Sequence, residues 1–149
     1  MSEETDRGTL RPQLLMTAED YARLMALAEV AARRSPLVAN LLMEEADRAE
    51  VVPAGQMPAG VVTLGSIVEF HDATTSETRR VQVVLPGEAD IAAGRISVLS
   101  LVGAGLMGLS QGQSIDWPTQ DGRIRRLTVL RVEAPSREAG GAGTAAAVA

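Results

Sequence analysis

The stretch Ser100-Leu-Val-Gly-Ala-Gly-Leu-Met-Gly108-Leu-Ser-Gln-Gly-Gln-Ser-Ile-Asp-Trp117 decides the fold. Its glycines at 103, 105 and 108 match the dinucleotide-binding fingerprint letter for letter, and apolar Val98, Leu99, Leu101 and Val102 precede them. That motif works only where a strand feeds a long helix whose amino terminus faces pyrophosphate, and where a second parallel strand ends in an acid for the ribose. Here Gln111-Gly112-Gln113 would stop the helix within about two turns, because glycine is a poor interior residue and a good terminator. The acid at the right distance, Asp121, belongs to a turn, and Pro118 adds a further break. The glycines therefore read as packing positions in one short helix from Gly103 to Leu109, and a nucleotide site is rejected.

Outward from that helix the pattern is strand-like. Val61 to Leu64 and Ile67 to Phe70 are short apolar runs separated by Gly65-Ser66. Arg80 to Val84, Arg95 to Val98 and Leu127 to Val132 follow with the alternation or β-branched content of strands. Asp72 to Thr78 is a polar hairpin connection, and Gln120-Asp121-Gly122 carries the Asp-Gly turn signal. Strands joined by antiparallel turns, with one packed helix, predict an α+β domain over residues 61–135. Trp117 reads as core, its indole N–H bonded to backbone.

Upstream, Thr17 is a good N-cap with Asp20 three residues on, and Tyr21, Leu24, Leu27, Ala28 and Ala31 recur at helical spacing. Arg33 and Arg34 are expected in the last turn, complementing the helix dipole. Ser35 is expected to cap a second helix with Pro36 at its first position, and Val38, Leu41, Leu42, Ala46 and Ala49 make its apolar stripe. Glu44, Asp47 and Glu50 face elsewhere. The short link predicts an antiparallel helical hairpin over residues 14–52. Legs of about 16 residues at roughly 1.5 Å each would reach only about 24 Å. Pro53, Gly55, Pro58 and Gly60 mark the boundary with the sheet domain. Residues 1–13 and 136–149 read as disordered tails.

Composition narrows the function. There is no cysteine, so disulfides, thiolate metal sites and cysteine catalysis are excluded. The net charge is −5, and residues 14–52 hold seven acids against four arginines. That balance argues against nucleic acid as a direct partner and permits a basic protein partner. No apolar run is long enough to span a membrane, and Met1 to Arg7 lacks the apolar core of a signal peptide, so a soluble cytoplasmic chain, monomeric by default, is expected. The single histidine, His71, reads as a surface turn residue. No catalytic residue, metal ligand or cofactor site is expected.

Three stretches carry a family resemblance: Val62-Thr-Leu-Gly-Ser-Ile-Val68, Ser100 to Gly108, and Gln111-Gly-Gln-Ser-Ile-Asp-Trp117. They resemble the carboxy-terminal domain of the GreA/GreB transcription elongation factors. Glu45-Ala-Asp-Arg-Ala49 and Met57-Pro58 extend the likeness, within that family, to the Rnk group, named for regulation of nucleoside diphosphate kinase. The resemblance implies a short helical hairpin (a coiled coil) followed by an FKBP-like antiparallel sheet domain with one short helix. It also implies docking at the rim of the RNA polymerase secondary channel, with Ser100, Leu101, Val102, Gly103 and Ala104 as the contact by analogy. Leu101 departs from the proline that many relatives carry there. Longer-hairpin relatives bring paired carboxylates to a catalytic metal, whereas the tip here is Arg33-Arg34-Ser35-Pro36, and guanidinium groups cannot ligate Mg²⁺. Glu44 and Glu45 read as a solvated face of the second helix, and acids on the hairpin could steer it toward a basic channel mouth. The function expected is a non-enzymatic regulator that binds RNA polymerase and competes with Gre factors without stimulating transcript cleavage. Two alternatives stand beside it: an FKBP-like peptidyl-prolyl isomerase or chaperone, for which Tyr21, Phe70 and Trp117 furnish a poor pocket, and a Gre-type cleavage factor.

Overall fold

The computed structural model describes residues 12–134. The two expected tails fall outside them, except for Pro12 and Gln13. Pro12 is tethered: its carbonyl accepts a hydrogen bond from Arg48 Nη1 at 2.6 Å.

The chain opens with a short strand, β1 (Leu15–Thr17), and Thr17 then caps helix α1 (Ala18–Ala31) by accepting the Asp20 N–H at 3.0 Å. Leu24 and Ala28 are its buried stripe. Arg33 and Arg34 do not lie in its last turn as expected: Ala32 closes the helix, and both arginines sit exposed in the turn beyond it. Helix α2 (Pro36–Arg48) begins with proline at its first turn; Ser35 occupies the cap position but makes no side-chain cap hydrogen bond. Strand β2 (Glu50–Val52) then pairs parallel with β1, Leu15 opposite Glu50 and Thr17 opposite Val52. This ladder binds the two legs of the hairpin at their base.

The second part is a five-stranded sheet in the order β5-β4-β3-β7-β6. Its strands are β3 (Ile67–Asp72), β4 (Glu77–Val84), β5 (Arg95–Ser97), β6 (Ser114–Pro118) and β7 (Ile124–Glu133). Alternation puts Val68, Phe70, Leu127 and Val129 on the inner face. Both expected turns form. The Asp72 carboxylate accepts the Thr74 N–H at 2.9 Å, and the Thr119 N–H donates to the Arg123 carbonyl at 2.8 Å.

Two expectations about the sheet are corrected. It is mixed rather than antiparallel, because β4 pairs with β5 in parallel. The connection between them makes two 3₁₀ turns, at Pro86–Glu88 and Ile91–Ala93, that carry the chain back to run alongside β4. Val61 to Leu64 is not a strand. The Thr63 N–H donates to Ser66 Oγ at 2.9 Å and the Leu64 N–H to Asp20 Oδ2 at 3.2 Å, so side chains take the amides a ladder would have used. His71 lies beside Asp72 at the end of β3, half-buried and one residue short of the turn, facing Thr78 and Thr128 in register.

Helix α3 (Leu101–Leu106) starts two residues earlier than the glycine pattern predicts, since Ser100 Oγ accepts the Gly103 N–H at 3.1 Å. A methyl on Gly103 would run into the Ser97 carbonyl, and one on Gly105 would come within 2.9 Å of the Trp117 indole. Both glycines serve close packing, and a helix of six residues could not form the long phosphate-binding element of a dinucleotide fold. Leu14, Met16, Leu24, Leu42, Phe70, Leu106 and Trp117 belong to one hydrophobic cluster, so hairpin and sheet share a core.

Candidate functional site

The features singled out in the sequence meet at one end of the molecule. Ser100 is held by two bonds: its hydroxyl donates to the Ser97 carbonyl at 2.6 Å and accepts the Gly103 N–H. That fixes the start of α3 against the sheet. Ser100, Leu101 and Val102 then line a cleft of about 210 Å³ together with Phe70, Val81 and Ile96. Gly103 and Ala104 do not reach it; both are buried beneath and support the helix. Trp117 is 1% exposed and its indole N–H donates to the Leu101 carbonyl at 2.7 Å, as the sequence led us to expect of a core tryptophan.

Arg125 closes one wall of this cleft. Its Nη1 donates to Asp72 Oδ2 at 2.9 Å, and the carboxylate is almost wholly buried. The Arg125 Nε is also buried and has no acceptor among the described residues. Arg79 stands on the same rim, exposed. Leu99, immediately before Ser100, belongs to a second and larger cleft of about 620 Å³, whose far side is the hairpin tip. Arg33, Arg34, Ser35 and Pro36 are all exposed there. The short hairpin thus sets its tip beside the amino terminus of α3.

Although the chain is acidic, the charges at these two clefts are guanidinium groups: Arg33, Arg34, Arg79 and Arg125. The acids Glu44, Asp47 and Glu50 are exposed along α2 and β2 instead. Net charge alone suggested a basic partner; the local charge at the clefts suits an acidic one.

Glu45 corrects another expectation. It is 1% exposed, and its carboxylate accepts from Arg48 Nη2 at 2.8 Å. The sequence held the signal, since Glu45 falls three residues after Leu42 and seven after Val38, on the buried stripe. Asp20 is likewise buried. Loss of hydration raises its pKa above 3.8, against the pull of the Leu64 N–H and of Arg23. Asp116 and Arg126 form a two-pronged pair at 2.8 and 3.2 Å, which raises the arginine's pKa further. Among the described residues no three His, Asp or Glu side chains are placed to hold a metal ion. Arg79, Arg125, Val30 and Pro86 were missed, whereas Arg33 and Arg34 had been singled out as the hairpin tip. Val30 could have been found as an aliphatic residue out of phase with its helix's apolar stripe.

A helical hairpin set on a small α+β domain with a mixed five-stranded sheet defines a class, and comparisons with known proteins give its family. The model described as the transcription elongation factor GreA/GreB carboxy-terminal region matches residues 57–134, and one described as the Rnk N-terminus matches residues 12–52. The chain belongs to the GreA/GreB family. It is 34% identical to the regulator of nucleoside diphosphate kinase of Escherichia coli K12, over 87% of this chain and 96% of that protein. It is 37% identical to GreA of Azorhizobium caulinodans over 61% of this chain and 57% of that one. A solved GreA/GreB-type elongation factor from Nitrosomonas europaea superposes with a TM-score of 0.64 at 32% identity, covering 83% of this chain and all of that one. Among the described residues no helix is long and apolar enough to cross a membrane.

Proposed function

We propose that this chain is a non-enzymatic transcription regulator that binds RNA polymerase near its secondary channel. There it competes, as a monomer, with Gre factors and does not stimulate transcript cleavage. One observation carries this reading: the helices have only 14 and 13 residues, and their tip offers exposed arginines. At about 1.5 Å per residue the longer leg spans about 21 Å. Its end presents guanidinium groups, which repel a metal cation rather than ligate it. Glu45 is no substitute, being committed to Arg48 inside the fold. Kinship with proteins named as elongation factors and as a regulator supports the transcriptional role. The contact is assigned to the half-buried Ser100 and Val102, with Leu101, Gly103 and Ala104 as their buried support.

The test uses stalled elongation complexes. Added alone, the protein should leave the nascent RNA intact; added with GreA, it should suppress GreA-stimulated cleavage in proportion to its concentration. Shortened transcripts in the first arm would sink the proposal.

The 210 Å³ cleft is the feature that favours a prolyl isomerase instead. It presents a single aromatic ring, Phe70, while Trp117 is sealed in the core and Tyr21 lies on the hairpin. A peptide isomerisation assay decides that question, because the uncatalysed step is slow enough for any acceleration to be visible.

A further inference from the structure

Leu27, Val30, Pro86 and Leu99 line the 620 Å³ cleft between the hairpin tip and the sheet, and Arg33 and Arg34 stand over it. Val30 is 79% exposed, while Ala28 on the same helix is buried and Ala31 is half-buried. One exposed aliphatic residue is ordinary, but one set beside an apolar cleft enlarges a patch that a partner could cover. The two arginines make no ion pair or side-chain hydrogen bond among the described residues, unlike Arg23, Arg48, Arg80, Arg125 and Arg126. Glu29, the nearest acid on the same leg, forms no ion pair with either of them among the described residues.

The chemistry of the lining selects the class of partner. A nucleobase needs an aromatic face to stack on or polar groups to read its edge. Apart from the two guanidiniums, the described side chains of the cleft offer only the Ser35 hydroxyl and no aromatic ring. Guanidinium forks match carboxylates, and aliphatic walls match aliphatic side chains.

We propose that this cleft docks an acidic, amphipathic segment of the polymerase, with aliphatic side chains seated between Val30 and Leu99 and carboxylates held by Arg33 and Arg34. The inference rests on the polymerase reading and deepens it, giving the hairpin tip an adhesive role on the partner's surface.

The experiment measures binding of the full chain to purified core RNA polymerase at low and high salt. Wild type is compared with Arg33→Glu/Arg34→Glu, Arg33→Lys/Arg34→Lys and Val30→Ser, all at exposed positions and each checked by circular dichroism for an intact fold. Charge reversal should weaken binding by roughly ten-fold or more at low salt, and the gap should narrow as salt screens the pairs. The lysine pair should recover part of the loss, and Val30→Ser should weaken binding at both salt concentrations. Charge-reversed protein that binds within about two-fold of wild type at low salt overturns the inference and leaves the polymerase reading standing. Wild type that fails to bind at micromolar concentration overturns both. Tight binding to free single-stranded RNA that vanishes on charge reversal would assign the arginines to phosphate and overturn the acidic-segment proposal.

Discussion

Asp20 answers to two opposed demands, because its carboxylate must leave water and yet accept the Leu64 amide that joins hairpin to sheet. Its raised pKa means that the folded state disfavours the charged form. Below the ordinary value of 3.8 both states are neutral; as the pH rises from there to the folded value, the unfolded chain ionises first and stability falls. Asp20→Asn keeps an acceptor for the amide without the charge. It should match or exceed wild-type stability at about pH 7, with the difference closing near about pH 3, as read by urea denaturation. Asp20→Ala, which strands the amide, should cost about 1–3 kcal/mol. Glu45→Ala removes the buried partner of Arg48 and should cost about 2–4 kcal/mol, somewhat less than a fully buried pair because Arg48 can reach water. Gly105→Ala pushes a methyl into the Trp117 indole and should cost about 1–3 kcal/mol, visible as a lowered Tm. At this scale the sequence spoke clearly where chemistry is local, as at the Thr17 cap and the Trp117 indole. It misled at Glu45, where a charged side chain on the buried stripe is tolerated only through a partner one turn away.

Among the elements, the β1–β2 ladder was invisible in advance. Each strand is three residues long, and parallel pairing across the whole hairpin leaves no turn signal to find. Its weight in the fold is nonetheless large, since Leu14 and Met16 are both sealed in the core. Leu14→Ala should therefore cost about 2–5 kcal/mol in denaturant titration, far more than a tail residue would. An effect near zero would mean that the base of the hairpin is not held in this way. The turns at Asp72 and Asp121 were legible because Asp and Gly have fixed conformational uses. Val61 to Leu64 was misread because an apolar run reports burial and not the pairing of its amides: Ser66 and Asp20 take those of Thr63 and Leu64, and Val62 bonds the Leu109 carbonyl outside the sheet. Strand β6 was hard to see because Ser114-Ile-Asp-Trp117, although it alternates, is only four residues long and lies between the Gly112 turn and Pro118.

For the whole molecule, the governing fact is that hairpin and sheet bury their faces in one cluster. Unfolding should then be a single transition. Fluorescence of Trp117, the only tryptophan, reports on the sheet, and helical circular dichroism is dominated by α1 and α2. The two curves should superpose. Separate midpoints would show that the hairpin folds on its own. Composition foresaw the class of core and the absence of cysteine chemistry, but it could not foresee the distribution of charge. A net of −5 hid an end lined by arginines, because summing over a chain erases where the folded surface puts each sign.

The ladder joining Leu15–Thr17 to Glu50–Val52 has one more consequence. Two legs stapled at the foot form an arm whose length can change without loosening its shoulder. Whole helical turns gained or lost in pairs at the tip end of both legs would alter how far the arm extends and would move the wall that Val30, Arg33 and Arg34 give the cleft beside Leu99, while the staple keeps its shape. Such a joint lets one architecture carry arms of different reach, and in this chain the legs have only 14 and 13 residues.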